Sequence, residues 1–276
     1  MAARLPRGAG TPGVPERYRV QVLDRSFRIL ETLAASPAEL SAVELASRLH
    51  LHKSTIHRLV VVLERQRFIR RTENAKYGLG TRLIEMGCRA MEQLDLEACA
   101  KPLLQRLVAQ TGETAHISVL SGTEMMSIAN VPGRWSLRMP STVGRRTQIY
   151  CTAVGKAFIA FLAPAPLEAL IARIDFTRRT RRTITTVVGL KAELARIRRR
   201  GFALDDEEAE EGLRCIGAPV RNYTGDVVAS LSIAGPVFRV TKGRVPPLAA
   251  AVVRAAEELS AELGYIKPQP RKQKIS

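Results

Sequence analysis

The chain has 276 residues, 46% of them hydrophobic, and 43 Lys and Arg against 26 Asp and Glu give it a net charge of +17. That length and apolar content can build two domains with sizeable cores and exclude a chain disordered throughout. The charge surplus favours an anionic polymer or surface as partner and says nothing about fold. It falls in two blocks: fifteen Lys/Arg against seven Asp/Glu over residues 1–82, and ten against two over residues 173–200. Cys88, Cys99, Cys151 and Cys215 form no CxxC pair and no Cys/His cluster of zinc-finger spacing. No metal site is expected, and a reduced, cytoplasmic setting is the simplest reading. The N-terminus lacks a signal peptide's apolar core, and no apolar run approaches a membrane span.

Residues 1–18 are rich in Gly, Pro, Ala and Arg and predict a disordered basic tail. Val22 to Ala35 predicts a helix with Leu23, Phe27, Leu30 and Ala34 on one face. Ser41 with Glu44 three residues later is a capping-box start. The helix that follows turns Ala42, Leu45, Ala46 and Leu49 inward, and His50-Leu51-His52 forms a turn. A second helix opens near Lys53 with Ile56, Leu59, Val60 and Leu63 at the spacing of a buried stripe. Its opposite face carries Ser54, His57, Arg58 and Arg65, with Thr55 at the edge. Small or forked donors and cations at the start of an anchored helix are what a DNA major groove requires. Phe68-Ile69 starts a strand, residues 72–75 turn, and Lys76 to Leu79 returns, so Arg70, Arg71 and Lys76 make a cationic wing. A solvated basic helical hairpin is the bland alternative. The wing and the charge favour a DNA-binding unit over residues 19–80. Ser54, Thr55, His57 and Arg58 are the expected groove contacts, and Lys53, Arg70, Arg71 and Lys76 the expected phosphate contacts.

Residues 81–99 predict a linker helix, with Leu83, Gly87, Ala90 and Leu94 as a stripe suited to a domain connector or a dimer seam. Lys101 to Thr111 predicts a further helix, stopped by Gly112. Thr114–Leu120 alternates as a strand, Glu124–Val131 returns, and Trp135–Met139 is a candidate third strand of an antiparallel meander. A helix is expected from about Cys151, with Ala153, Ala157, Phe158 and Phe161 inward, and a short one over Leu167–Ile174. The basic loop Thr177–Thr183 carries Arg178, Arg179, Arg181 and Arg182; solvent, an anionic ligand and DNA phosphates are its possible partners. A helix over Leu190–Arg200, an acidic loop from Asp205 to Glu211, strands over Leu213–Val220 and Val227–Ile233, and a closing helix over Arg244–Leu263 follow. Residues 266–276 form a basic tail. The fold class is therefore α+β in two domains, with residues 100–265 as helices flanking an antiparallel sheet.

Cys151 and Cys215 are conceivable nucleophiles and His116 a conceivable base, but no local motif pairs them. Serine-hydrolase, Walker and dinucleotide-binding glycine motifs are absent. No catalytic residue, cofactor or enzymatic activity is expected.

The segments LDRSFRILETLA, LASRLHLHKSTIHRLVVVLE and YGLGTRLIEMG resemble the winged helix-turn-helix domain of IclR-type bacterial transcriptional regulators. GETAHISVL, YCTAVGKAFIAFL, RRRGFALDDEEAEEGLRCIGAPV and ASLSIAGPVFRVT resemble that family's effector-binding domain, in order and in register from Val22 to Gly264. The resemblance implies a GAF-like second domain that senses a small organic acid, a homodimer or dimer of dimers, and double-stranded promoter DNA as partner on the nucleoid. Repression is favoured over activation as the sign, and both remain open. It also implies a pocket lined by Gly144, Asp205, Cys215 and Ser232. The family's second strand hydroxyl is replaced by Ala234, which removes one polar contact. The rival reading is a constitutive DNA-binding protein whose second domain serves assembly alone.

Overall fold

A computed structural model describes residues 20–140 and 142–267. The expected tail of residues 1–18 lies outside these residues, as does that of residues 266–276 apart from Ile266 and Lys267. The chain divides into two compact units, Met1–Gln93 and Leu94–Ser276.

In the first unit α1 (Gln21–Ala34) precedes β1 (Leu40–Ser41), α2 (Ala42–Leu49), α3 (Lys53–Arg65), β2 (Ile69–Arg71), β3 (Lys76–Leu79) and α4 (Thr81–Glu92). The capping box forms: the Ser41 hydroxyl accepts from Glu44 N–H at 3.3 Å, and the Glu44 carboxylate accepts from Ser41 N–H at 2.8 Å. His50 ends α2 with φ +54°, a left-handed turn that lets α3 begin three residues later. Leu45, Leu49, Ile56 and Val60 are buried with Ile29, Leu33, Ile69 and Tyr77 in one core. β3 pairs antiparallel with both β2 and β1, the latter a two-residue strand not read from the sequence.

Of the face expected for α1, only Leu30 packs against the core. Leu23 and Phe27 are 52% and 58% exposed, and the helix buries Ile29 and Leu33 instead. The helix has two apolar stripes, and the one spaced i, i+4 toward its C-terminus takes the core. The linker helix is also shorter than expected. It ends at Glu92 because Asp95 caps a new helix, its carboxylate accepting from Glu97 N–H at 2.9 Å and Ala98 N–H at 3.2 Å.

In the second unit α5 (Leu96–Thr111) leads into β4 (Thr114–Ser121), β5 (Glu124–Val131) and β6 (Arg146–Gln148). Then come α6 (Ala153–Ile159), α7 (Pro164–Ile171) and α8 (Val187–Arg200), followed by β7 (Ala203–Asp206), β8 (Leu213–Arg221), β9 (Val227–Pro236) and α9 (Val245–Glu262). The strands form one antiparallel sheet in the order β6-β5-β4-β9-β8-β7. On one face Ile117, Ile216, Leu231 and Ile233 pack with Leu104 of α5 and Val252 and Leu259 of α9. On the other side a second core joins Ile149, Phe158 and Ile159 to Leu190, Leu194 and Ile197 of α8.

Two expectations change here. Trp135–Met139 is not a strand; the guanidinium groups of Arg134 and Arg239 lie over the Trp135 ring at 5.0 and 5.5 Å, and β6 supplies the third meander strand. The acidic stretch is not simply a solvated loop either. Its first residues form the edge strand β7, in which Asp205 pairs with Cys215 and Asp206 with Arg214.

Candidate nucleic-acid interface and ligand cavity

The buried stripe of α3 leaves Lys53, Ser54, His57 and Arg58 exposed, with Thr55 half-buried at the margin. Arg70, Arg71 and Lys76 are exposed on the β2–β3 hairpin, whose turn is closed by Thr72 N–H to Lys76 O at 2.8 Å. Arg70 is partly committed, since it pairs with Glu39 at 2.9 Å. Arg67 turns away to Glu85 of α4 at 2.8 Å. Seven of the eight residues expected to meet DNA therefore stand on exposed surface of one helix or one hairpin, and Thr55 borders them.

The second unit holds a cavity of about 220 Å³ on the sheet face opposite α5 and α9. Strand alternation sets its floor: Ile117, Ile216 and Leu231 turn to the core, so His116, Cys215 and Ser232 turn the other way. His116 and Ser232 are direct cross-strand partners, and the serine hydroxyl lies 3.1 Å from His116 Nε2. Ala153 and Val154 at the start of α6 form one wall, Asp205 of β7 another, and Arg145, Arg146 and Arg179 stand at the cavity too. Two glycines allow this. A Cβ on Gly217 would meet Ala153 O at 2.8 Å, so α6 reaches the sheet only because that position is bare, and one on Gly155 would meet Ile149 Cα at 2.3 Å, so the helix also folds closely onto the segment before it.

Of the four residues expected at the pocket, Asp205, Cys215 and Ser232 line the cavity and Gly144 does not. Gly144 adopts φ +83°, and its N–H already donates to Ser127 O at 2.8 Å, so it is not a free donor; the next residue, Arg145, lines the wall instead. Ala234, opposite Cys215, is fully buried.

Burial sets the charge states. It lowers the His116 pKa to about 4, with the Arg145 charge adding to the effect, so the imidazole is neutral near pH 7. It raises Asp205 to about 6, against the pull of Lys156 and the N–H groups of Glu208 and Ala209. Burial pushes the Cys151 thiol up to about 12 and Cys215 well above its ordinary value. Both thiols are protonated at neutral pH, and the histidine is engaged with a serine, which is the opposite of an activated thiol nucleophile.

Behind Asp205 lies a buried ion pair that sequence reasoning missed. Lys156 of α6 pairs with Glu208 and donates to Leu204 O at 2.7 Å. The only available signal was one lysine in an apolar helical run. Among the described residues, no group of His, Cys, Asp and Glu has a metal-binding arrangement, and no helix is long and apolar enough to cross a membrane.

The model of the IclR helix-turn-helix domain matches residues 22–73, and that of the bacterial transcriptional regulator IclR C-terminal domain matches residues 88–261. The chain belongs to the IclR family of bacterial transcriptional regulators. It is 34% identical over 247 residues to the HTH-type transcriptional regulator XynR of Escherichia coli, covering 89% of this chain and 98% of the relative. It is 33% identical over 274 residues to the transcriptional repressor IclR of the same organism, covering 97% of this chain and all of the repressor. Among solved structures, the Agobacterium tumefaciens repressor BlcR matches at TM-score 0.79 and 28% identity, covering 90% of this chain and 98% of BlcR. Thermotoga maritima IclR matches at TM-score 0.60 and 33% identity, covering 88% of this chain and 98% of that one. The chain is thus a helix-turn-helix regulator of the IclR fold, and its relatives are regulators rather than enzymes.

Proposed function

We propose that this IclR-family regulator is a ligand-gated repressor that binds promoter DNA through α3 and its wing and responds to a small organic acid in the second unit. The observation that carries the sensing half is the enclosed polar floor of His116, Ser232, Cys215 and Asp205 beside three arginines. A concave site with a few convergent polar groups and perturbed titrations is the physical signature of a small-molecule pocket. Its volume of about 220 Å³ is room for a small metabolite and not for a polymer. Repression is the named role of relatives such as the transcriptional repressor IclR and the acetate operon repressor of Salmonella typhimurium.

Pairing of two chains is part of the proposal. Leu23 and Phe27 on α1 and Ile84 and Met86 on α4 are uncovered apolar side chains within one unit, and burial against a second copy removes them from water. A two-fold pair of reading heads expects an operator with two half-sites. The coupling follows by linkage: an acid that prefers one arrangement of the paired chains changes DNA affinity by its coupling energy, commonly ~1–3 kcal/mol.

The test is fluorescence-anisotropy binding to the DNA upstream of the protein's own coding region, against scrambled DNA at near-physiological salt, with and without small organic acids. Selective binding weakened by one acid establishes the ligand-gated repressor. Selective binding that no acid alters supports the rival constitutive DNA-binding protein instead.

A further inference from the structure

The basic loop Thr177–Thr183 is the second charge block of the sequence, and its place in the fold gives it a use. It is fastened to the acidic stretch that carries Asp205. Thr180 donates to Glu207 O and Thr183 to Glu208 O, each at 2.7 Å, and Arg182 pairs with Asp206 at 2.6 Å. The backbone N–H of Arg179 donates to the Thr183 hydroxyl at 3.1 Å. The loop is therefore held in place, and Arg179 is the member of it that lines the cavity.

The three cavity arginines are not equivalent. Arg146 lies 3.8 Å from Glu124, which also accepts from Gln148 at 2.9 Å. Arg145 and Arg179 have no carboxylate within ion-pair distance among the described residues. Glu210 sits exposed at the rim. Arg145 donates to Pro140 O at 2.8 Å, which holds it at the cavity without neutralising it. Two guanidinium groups without an ion-pair partner favour an anionic group, and a carboxylate matches their planar fork.

The inner side asks for something else. Asp205 is fully enclosed, and both of its bonds, to Glu208 N–H at 2.8 Å and Ala209 N–H at 3.3 Å, fall on Oδ1. That leaves Oδ2 for a donor arriving from the cavity. Ser232 and the neutral His116 ring beside it can each donate or accept. Ser232 and His116 already satisfy one another, but a plain aliphatic acid would leave Asp205 Oδ2 without a donor, at a cost in affinity.

Building on the sensor reading above, we propose that the effector is a small hydroxy-carboxylic acid, its carboxylate on the Arg145 and Arg179 side and its hydroxyls bonded to Asp205, Ser232 and His116. Specificity then has two independent parts, a charge requirement set by the arginines and a hydroxyl requirement set by the acceptor.

Titration calorimetry on the full chain separates them with matched probes: glycerate, threonate and gluconate, each beside its deoxygenated acid (propanoate, butanoate, hexanoate) and its polyol (glycerol, erythritol, glucitol). At least one hydroxy acid is expected to bind about tenfold or more tighter than both of its counterparts. Arg179→Ala and Arg145→Ala should each weaken it roughly 10- to 100-fold. Asp205→Asn keeps an oxygen for the two N–H groups but presents an amide donor to the cavity. It should collapse the preference for hydroxy over deoxygenated acid, read as the ratio of the two affinities in the variant against that ratio in the wild type. Equal binding of the deoxygenated acid, or no binding of any hydroxy acid, overturns the proposal. A wider set of aliphatic acids, aromatic acids and lactones, scored by promoter affinity, tells the two failures apart. A response there without hydroxy-acid binding sinks this proposal and keeps the sensor; no response to any compound sinks both.

Discussion

Lys156, on the short helix α6, and Glu208, just beyond the edge strand β7, form an ion pair in which the lysine is wholly enclosed. The pair ties α6 to the strand that carries Asp205, so two walls of the cavity meet in one contact. Burial still raises the Glu208 pKa to about 7, because desolvation outweighs the lysine's attraction.

Replacing the cation should therefore be costly. Lys156→Met leaves a buried carboxylate unpaired, and unfolding in urea should show a loss of about 3–5 kcal/mol at pH 8. At pH 5 the carboxyl can take up a proton and the loss should be smaller. The double variant Lys156→Met with Glu208→Leu should recover most of the stability. An equal loss at both pH values, or no recovery, would show that the pair is not what holds these elements together.

His116 gives a pH dependence of known sign. Its native pKa of about 4 lies below the ordinary 6.5, so between those values the unfolded chain binds a proton that the native state refuses. Its contribution to stability is complete above about 6.5 and is lost as pH falls toward about 4. Asp205 and Glu208, both raised, act in the opposite direction over an overlapping range. The difference between wild type and His116→Gln, taken from denaturation midpoints across pH 4 to 7, isolates the histidine: wild type should gain relative to the variant as pH rises.

On the DNA face, Arg58→Ala should lose about 1–3 kcal/mol on the matched operator and relax the preference for one base. Lys76→Ala should weaken matched and scrambled DNA alike and reduce the slope of log affinity against log salt by about one. If the two variants behave identically on both DNAs, the division between groove and phosphate contacts fails. Arg70→Ala should have a smaller effect than Lys76→Ala, because Glu39 already offsets part of its charge.

Gly217→Ala tests how the cavity is built. The added methyl would press on Ala153 O at 2.8 Å, and the expected penalty is about 1–3 kcal/mol. Displacing the start of α6 also displaces Ala153 and Val154 from the cavity wall, so ligand response should fall while DNA binding without ligand persists. Thermal melts and the anisotropy assay read the two effects separately.

The sequence by itself determined the local elements. The capping box at Ser41, the stripes of α2 and α3, the alternation of β4 and the repeated family blocks act over a few residues or lie in fixed register along the chain, so they can be read without contacts. The two-domain α+β reading and the family follow from them. Tertiary structure alone decided which of two apolar stripes on α1 is buried, that Asp205 and Asp206 form an edge strand, and that Arg145 rather than Gly144 lines the cavity. It also joined Lys156 to Glu208 and Arg179 to Asp205's neighbourhood, across chain separations that no local pattern records. The physical reason is the same in each case. A charged or apolar side chain has several acceptable surroundings, and the choice among them depends on what the rest of the chain brings alongside it.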